Sequence, residues 1–198
     1  MTANNFNTVI EEVAGIVSLA LFSQEECKQF ISEAEKCNQW ELAKVHGGHH
    51  DGDVQWVSDI ETRNAYVMGL SALPATSLRF DRKIQECILP LIAEKWRVHL
   101  QSHAGAQIIR YTTGGHYVAH IDSGADLDDR QFSVVCYLNE DLEGGATSFP
   151  TINYAAIPKS GKAIIFPSEY LHQAEPVMSG RKYAIVTWIV GAVPTSWI

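Results

Sequence analysis

Residues 110–122 read RYTTGGHYVAHID, and the interpretation of the whole chain starts from this stretch. His120 and Asp122 are two positions apart, so on a β-strand both side chains project from one face while Ile121 projects from the other. Two histidines and one carboxylate on a common face form the facial triad that binds Fe(II) in non-heme enzymes and leaves open positions on the metal. His172, shortly before a final apolar strand, is the candidate for the third ligand.

Beyond residue 103 the apolar residues recur with a period of two, which is typical of short β-strands. Glycine-containing turns separate these segments. We predict strands near residues 106–111, 116–121, 132–139, 146–149, 154–158, 162–166 and 182–190. Many short strands after a helical region favour a double-sheet jelly roll, the cupin-like double-stranded β-helix, whose mouth can hold a ligand.

The first hundred residues carry helical signals. A strand is predicted over residues 15–22, and Ser23 with Glu26 forms a capping box that opens a helix through about Cys37. A segment that forms a strand or a short helix is expected over residues 62–70. The fold class is therefore predicted as α+β, with N-terminal helices packed on one sheet of the jelly roll.

A second helical pattern covers residues 79–98, where Pro90 is predicted to introduce a kink. No linker or change in composition divides the chain. We expect one domain over residues 1–198. A helical support region would cover about residues 1–100, and a jelly-roll catalytic core about residues 104–191.

Residues 46–53 read HGGHHDGD and show no periodicity, which predicts a mobile surface loop. The histidines and aspartates of this loop also form a weak metal-binding pattern, but adjacent His49 and His50 between glycines suit a surface loop better. We expect this loop and the acidic segment at residues 122–130 to flank the mouth of the barrel, because loops on a rigid scaffold commonly carry specificity.

Composition excludes some partners. The formal net charge is −8 and no Lys/Arg cluster follows a phosphate backbone, so nucleic acid is not expected to bind. The four cysteines show no CxxC spacing and are predicted to be reduced, buried thiols. The N-terminus lacks the features of a signal peptide, and the longest apolar run, at residues 13–22, is too short to span a bilayer. We predict a cytoplasmic protein without membrane contact; its oligomeric state is left open.

Lys182 is unusual because it opens an otherwise apolar strand. A solvated strand end is the simple interpretation. However, Lys182 shares a face with Ala184, Val186 and Trp188, opposite Arg181. A lysine on the inner face of a barrel is costly unless an anion meets it, and the carboxylate of a co-substrate would be such an anion.

These segments together resemble a known family. The pattern RY-x-x-GG-x-Y-x-x-H-x-D is followed by YLN, EGG-x-T-x-FP, H-x-x-x-PV-x-x-G-x-K-Y and W-I. It is similar to the Fe(II)/2-oxoglutarate-dependent dioxygenases of the prolyl 4-hydroxylase-like branch, closely over about residues 107–189 and more weakly before residue 100.

The resemblance implies a role for individual residues. His120, Asp122 and His172 would be the iron ligands. Lys182 would hold the distal carboxylate of 2-oxoglutarate. Further residues matched to the family are the hydroxyl partners of the co-substrate, Tyr111 and Thr147, and the substrate-side residues, Arg130 and Trp188.

Three positions depart from the family pattern. Ala146 stands where a glutamate is usual before Thr147, Tyr183 replaces a tryptophan, and Ser133 replaces a threonine. None of these changes removes a ligand. Some relatives use an arginine for the carboxylate, but strand phase favours Lys182 over Arg181.

The activity that the resemblance implies is hydroxylation of an unactivated C–H bond with Fe(II), 2-oxoglutarate and O₂, and with ascorbate as a possible reductant. Succinate and CO₂ would be released. Peptidyl proline, a free amino acid and a secondary-metabolite intermediate remain candidate substrates, because fold and cofactor do not fix function. Two alternatives are a non-catalytic metal-binding cupin module and a cupin metalloenzyme that does not use 2-oxoglutarate.

Overall fold

The strands of the chain assemble into two main antiparallel sheets. The computed structural model describes residues 9–50, 53–124, 127 and 129–191. Within these residues the larger sheet has the order β1-β2-β15-β11-β18-β9-β7-β3, with β8 also paired to β18. The strands of this sheet are β1 Ile10–Val13, β2 Ile16–Ala20, β3 Glu41–Leu42, β7 Tyr66–Gly69, β8 Ser102–His103, β9 Gln107–Tyr111, β11 Arg130–Tyr137, β15 Lys162–Pro167 and β18 Lys182–Val190.

The smaller sheet faces the larger one across the site. Its order is β14-β13-β16-β10-β6. Its strands are β6 Arg63–Asn64, β10 His116–His120, β13 Thr147–Phe149, β14 Tyr154–Ala156 and β16 His172–Ala174. Two further pairs complete the described strands: β4 Val45–His50 with β5 Asp53–Val57, and β12 Glu143–Gly144 with β17 Val177–Ser179. This arrangement confirms the predicted double-stranded β-helix.

The helices cover the outer face of the larger sheet. They are α1 Gln24–Cys37, α2 Pro74–Lys83 and α3 Leu89–Trp96. Phe30 of α1, Phe80 of α2 and Ile92 of α3 are fully buried in one cluster with Ile185 of β18. Because side chains alternate along β18, Lys182 and Ala184 face the other way, into the space between the sheets. No described helix is long and apolar enough to cross a bilayer.

The helical segment around Pro90, where a kink is predicted, is divided into α2 and α3. A π-helical turn, Ile84–Ile88, joins these helices, and Pro90 follows it in the first turn of α3. Proline lacks the amide hydrogen that would bond to the carbonyl four residues earlier, and the wider π turn accommodates the missing bond. The helical region also begins earlier than predicted, at Pro74, because a proline in the first turn is compatible with a helix.

The prediction of a loop at residues 46–53 is wrong. Residues 45–50 and 53–57 form the hairpin β4–β5, with His46 opposite Trp56 and His49 opposite Val54. Cross-strand pairing supplies the regular hydrogen bonds that the glycine-rich sequence does not suggest. Asp51 and Gly52 lie outside the described residues, as do the side chains of His49 and His50, and most of the predicted metal-binding pattern lies outside with them.

Most other elements follow the predictions. The segment at residues 62–70 forms β6 and β7, and a 3₁₀ turn, Leu70–Ala72, follows them. The short strands β16 and β17 were not predicted, because three-residue strands rich in polar residues leave no periodic signal. All four cysteines are free; Cys27 and Cys136 are buried, whereas Cys37 and Cys87 are half-buried.

The capping box of α1 gives a stability prediction. The Ser23 hydroxyl accepts a hydrogen bond from the Glu26 amide at 3.2 Å, and the Glu26 carboxylate accepts one from the Ser23 amide at 2.8 Å. Ser23→Ala should lower the free energy of unfolding by about 1 kcal/mol, measured by urea denaturation. Ser32→Ala, at an exposed position of the same helix, is the matched control and should change it by less than about 0.5 kcal/mol. Equal effects of both variants would contradict the cap's role.

Candidate metal and active site

The three predicted ligands converge at the junction of β10 and β16. These strands are antiparallel, and His120, the last residue of β10, is paired with His172, the first residue of β16. Asp122 follows two residues after His120. Its two carboxylate oxygens lie 3.6 Å from His120 Nε2 and 3.4 Å from His172 Nε2. In the described part of the chain, this is the one group of three or more His, Cys, Asp or Glu side chains placed to share a metal ion.

The turn before β10 depends on its two glycines. Gly114 has φ +80°, in the left-handed region that favours glycine. A Cβ at Gly115 would lie 2.7 Å from the Thr112 carbonyl oxygen, so no larger residue fits without a shift of the backbone. The turn therefore returns the chain along β10 and directs His120 toward β16.

Both histidines are oriented by backbone carbonyls. His120 Nδ1 donates to the Val118 carbonyl at 2.8 Å, and His172 Nδ1 donates to the Tyr170 carbonyl at 2.9 Å. A carbonyl accepts only, so each Nδ1 carries the hydrogen and each Nε2 presents a lone pair toward Asp122. Burial lowers the pKa of His172 and so favours the neutral imidazole that a metal requires.

Asp122 is held as an anion. Burial by itself would raise its pKa, but the neighbouring His120 and His172 side chains and a hydrogen bond from Ser133 together lower the pKa below its ordinary value. The Ser133 hydroxyl donates to Asp122 at 2.6 Å and lies 3.0 Å from the Ser168 hydroxyl. Ser133 therefore supplies a hydroxyl at the position where the family pattern has threonine.

The donor set fits Fe(II). Two neutral imidazole nitrogens and one carboxylate, on one side of the site, are the ligands of a facial triad with open positions. The ligand atoms lie within 4.8 Å of one another, and Asp122 and His172 are buried.

Lys182 lies in the same cavity and is 2% exposed. Its Nζ donates to the Gly145 carbonyl at 2.6 Å and lies 5.2 and 5.4 Å from the ring centres of Tyr111 and Tyr137. Among the described residues no carboxylate oxygen lies within 4 Å of Lys182 Nζ. Burial lowers the pKa of Lys182 to about 7. The site therefore contains a buried amine with which the carboxylate of an incoming ligand could form an ion pair.

Tyr111 and Thr147 lie beside this lysine. Tyr111 is paired with Lys182 across β9 and β18 and is buried. Thr147 is also buried, and its hydroxyl accepts a hydrogen bond from the Tyr137 hydroxyl at 2.8 Å. Tyr137 was not singled out by the sequence; the YLN motif that contains it was the available signal.

Arg130 and Trp188 are stacked on each other at another wall of the cavity. The guanidinium carbon of Arg130 lies 3.6 Å from the centre of the Trp188 ring, and Arg130 donates a long hydrogen bond of 3.4 Å to the Asp122 carbonyl. The structure thus brings all eight candidate residues to one cavity of about 420 Å³. That volume is within the range of small-molecule sites.

The two segments predicted to flank the mouth also contribute to the cavity. His46 and Trp56 of the hairpin line it, as does Leu127 of the acidic segment. Trp56 is half-exposed, at 47%. Sequence reasoning missed Arg63 and Tyr117 as lining residues. The weaker resemblance before residue 100 was the available signal for Arg63, and the tyrosine of the RYTTGGHYVAHID motif was the signal for Tyr117.

Comparisons with known proteins agree with this geometry. A model of the 2OG-Fe(II) oxygenase superfamily matches residues 106–190. A PKHD-type hydroxylase of Prochlorococcus marinus (strain NATL2A) is 25% identical over 177 residues, which cover 86% of this chain and 75% of the relative. A putative prolyl 4-hydroxylase of Acanthamoeba polyphaga mimivirus is 26% identical over 165 residues, which cover 73% and 65% of the two chains.

The fold is shared with solved structures. The viral collagen prolyl hydroxylase of Paramecium bursaria Chlorella virus 1, in its 2OG complex, superposes with a TM-score of 0.68 at 24% identity, covering 90% of this chain and 97% of that one. A Pseudomonas putida prolyl-4-hydroxylase superposes with a TM-score of 0.67 at 16% identity, covering 90% and 94%. Together with the site, these findings support the predicted resemblance to the 2OG-Fe(II) oxygenases of the prolyl 4-hydroxylase-like type. The predicted class of enzyme is thereby confirmed.

Proposed function

We propose that this enzyme hydroxylates an unactivated C–H bond with Fe(II), 2-oxoglutarate and O₂ and releases succinate and CO₂. The observation that carries the proposal is the pairing of two features in one cavity. One is the His120, Asp122 and His172 triad, in which Asp122 and His172 are buried. The other is the buried amine of Lys182, which has no carboxylate partner among the described residues. The first feature suits a metal and the second suits a dianionic co-substrate.

Separate sets of residues would bind the metal and the co-substrate. His120, Asp122 and His172 would hold Fe(II), and Lys182 would pair with one carboxylate of 2-oxoglutarate. Tyr111 and Thr147 lie on the two walls beside Lys182 and offer hydroxyl groups to the same carboxylate. When bound, iron and 2-oxoglutarate would supply the oxidation of the co-substrate by O₂ and the oxidising power for the substrate.

The protein contributes orientation and a dry environment. Phe149 and Phe166 pack around the His172 ring, with ring centres 6.0 and 4.8 Å away. This apolar surround limits access of water to the metal side of the site. Asp122 supplies an anionic ligand at the position where a small residue would leave room for a halide, so hydroxylation is favoured over halogenation.

The proposed substrate class rests on the relatives, and the proposed compartment rests on the cysteines. Relatives named prolyl hydroxylases support peptidyl proline among the candidates, beside a free amino acid and a secondary-metabolite intermediate. We place the enzyme in the cytoplasm because its four free cysteines suit a reducing compartment. Ascorbate would serve as a reductant in the assay.

A two-part experiment tests the reaction class. Binding of 2-oxoglutarate to the Zn(II)-loaded protein is measured by titration calorimetry, and succinate release with Fe(II), ascorbate and O₂ is screened across prolyl peptides, free amino acids and cell extract. We expect saturable 2-oxoglutarate binding that requires the metal, and succinate release that increases with at least one substrate pool. Absence of metal-dependent 2-oxoglutarate binding would overturn the proposed function.

A further inference from the structure

One turn of the chain contacts two of the three metal ligands. Residues 167–170 read PSEY, and the Tyr170 amide donates a hydrogen bond to the Pro167 carbonyl at 3.0 Å, which closes a β-turn. The turn follows β15 and ends two residues before His172, the first residue of β16. The motifs that carry the family resemblance do not include it. Its contacts with Asp122 and His172 connect it to the metal site.

Ser168 holds Asp122 by two routes. In the backbone, the Ser168 carbonyl accepts a hydrogen bond from the Asp122 amide at 2.8 Å, and the Ser168 amide donates to the Gln131 carbonyl at 3.0 Å. The second route passes through side chains. Ser133 donates its one hydroxyl hydrogen to the Asp122 carboxylate at 2.6 Å. In the 3.0 Å contact between the two serine hydroxyls, Ser168 is therefore the donor.

The two hydroxyls form a chain that ends on the carboxylate of a metal ligand. Each hydrogen bond in such a chain polarises the next, and a low local dielectric strengthens the effect. Ser133 is 0% exposed and Ser168 is 1% exposed, so bulk water does not reach either hydroxyl. Without the Ser168 hydroxyl, Ser133 keeps its bond to Asp122 but loses the donor that orients it. The Ser168 side chain thus acts on Asp122 through Ser133.

Tyr170 holds His172 and anchors the turn. Its carbonyl accepts a hydrogen bond from His172 Nδ1 at 2.9 Å, which leaves Nε2 for a metal. Its hydroxyl donates to the Ala14 carbonyl at 2.8 Å. Ala14 and Gly15, with φ of +47° and +77°, form the tight turn between β1 and β2. This anchor lies outside residues 106–190, which match the superfamily model, so the N-terminal hairpin supports the metal site from beyond the matched region.

We propose that the turn at residues 167–170 positions the metal ligands. Ser168 holds the Asp122 carboxylate in place. Tyr170, anchored by the β1–β2 turn, holds the His172 ring. The inference rests on the proposed function, in which these ligands bind Fe(II). A site whose ligands are held in place before the metal arrives binds it more tightly than a site that must first order them.

The test uses Co(II), because its visible absorption depends on the number and geometry of its ligands. The metal-free protein is titrated with Co(II) under anaerobic conditions without 2-oxoglutarate, and the Kd and the absorption spectrum are recorded. We expect Ser168→Ala to weaken Co(II) binding about tenfold and to change the spectrum. Tyr170→Phe keeps the ring of a half-buried residue and should weaken binding roughly two- to tenfold, the equivalent of one neutral hydrogen bond.

A double-mutant cycle separates positioning from general support of the fold. Ser133→Ala should weaken Co(II) binding about tenfold, because it removes the donor to the Asp122 carboxylate. In that background, Ser168→Ala should add a loss of less than about twofold, since its side chain acts through Ser133. Ser168→Thr, which keeps a hydroxyl, should restore affinity and spectrum toward wild type. Fully additive losses from the two serine-to-alanine changes would overturn the role of Ser168.

Tyr154→Phe is the matched control for Tyr170→Phe. The Tyr154 hydroxyl also contacts β1, at Glu12, but its ring packs on Phe149 rather than on a metal ligand. This variant should keep the Co(II) affinity and spectrum of wild type, and thermal melts should show that each variant is folded.

The outcomes distinguish the inference from the proposed function. Wild-type Co(II) affinity and spectrum in both Ser168→Ala and Tyr170→Phe would overturn the inference, as would an equal loss in Tyr154→Phe and Tyr170→Phe. If Ser168→Ala does not fold, Tyr170→Phe and its control decide the question alone. Wild type that binds no Co(II), or that binds it equally well after His172→Ala, refutes the proposed metal site instead.

Discussion

His172→Ala should abolish substrate-dependent succinate release, with a loss of more than about 100-fold, because even changes to groups that only orient metal ligands cost 10–100-fold. His172 is buried, and its Nε2 lies 3.4 Å from an Asp122 oxygen. Its removal leaves two of the three ligands. His120→Ala and Asp122→Ala should have effects of the same size. The measurements are succinate release and Fe(II) binding under anaerobic conditions.

His99 gives a matched control for the triad. It is exposed on the segment after α3 and does not line the cavity, so His99→Ala should retain wild-type activity and metal affinity. Circular dichroism should show that all the variants remain folded, because each change replaces one side chain that lines the cavity and leaves the main hydrophobic cluster intact. A His172 variant that binds Fe(II) and turns over like wild type would show that another residue closes the metal site.

The site was predictable where one strand carries several of its residues. His120 and Asp122 share one side because of their spacing, and Lys182 and Trp188 share the inner face of β18 because side chains alternate. The helix that begins after Ser23 was equally accessible, since its capping box lies within four residues of sequence. Such local rules need no knowledge of the tertiary fold.

The remainder depends on contacts between distant segments. Arg63 reaches the site because β6 pairs with β10, placing it opposite Tyr117, and no periodicity in the sequence encodes that pairing. The glycines of residues 46–53 suggested a loop. The hairpin β4–β5 forms there because it is stabilised by pairing between its two strands, which the local sequence does not reveal. The triad itself needed the resemblance to the family, or the pairing of His120 with His172, to fix its third member.

The second large effect concerns Lys182. Lys182→Ala should weaken binding of 2-oxoglutarate to the Zn(II)-loaded protein by about 2–5 kcal/mol, the range for removing one partner of a buried charge pair. The metal affinity of the variant should stay near that of wild type, because Lys182 contacts Gly145 and the rings of Tyr111 and Tyr137 rather than the triad. Titration calorimetry with 2-oxoglutarate and with metal separates the two effects.

Arg181→Ala is the matched control for this change. Arg181 is exposed and faces away from the cavity, so its loss should alter 2-oxoglutarate affinity by less than about 0.5 kcal/mol. If Arg181→Ala weakens binding more than Lys182→Ala does, the arginine holds the carboxylate and our assignment of the cofactor-binding residue is wrong.

The same lysine predicts a pH dependence of binding. Burial lowers the pKa of Lys182 to about 7 in the free protein, whereas burial raises the pKa of its neighbours Tyr111 and Tyr137, which stay neutral near pH 7. Only the protonated amine pairs with a carboxylate. Above pH 7 the free site has lost this proton, so 2-oxoglutarate must bind together with a proton and its affinity should fall as pH rises.

Proton uptake can be measured directly. Calorimetric titrations at pH 8 in buffers with different ionisation enthalpies should show uptake approaching one proton per 2-oxoglutarate bound, and at pH 6 almost none. The stability of the free protein should change in the opposite sense. Because the unfolded chain keeps the Lys182 proton up to its ordinary pKa of 10.5, the penalty of burying a charged amine is largest below pH 7 and decreases as pH rises from about 7 toward 10.5. Lys182→Met should remove both the proton uptake and this contribution to stability. Uptake that persists in Lys182→Met would assign the proton to another group and contradict the role of Lys182.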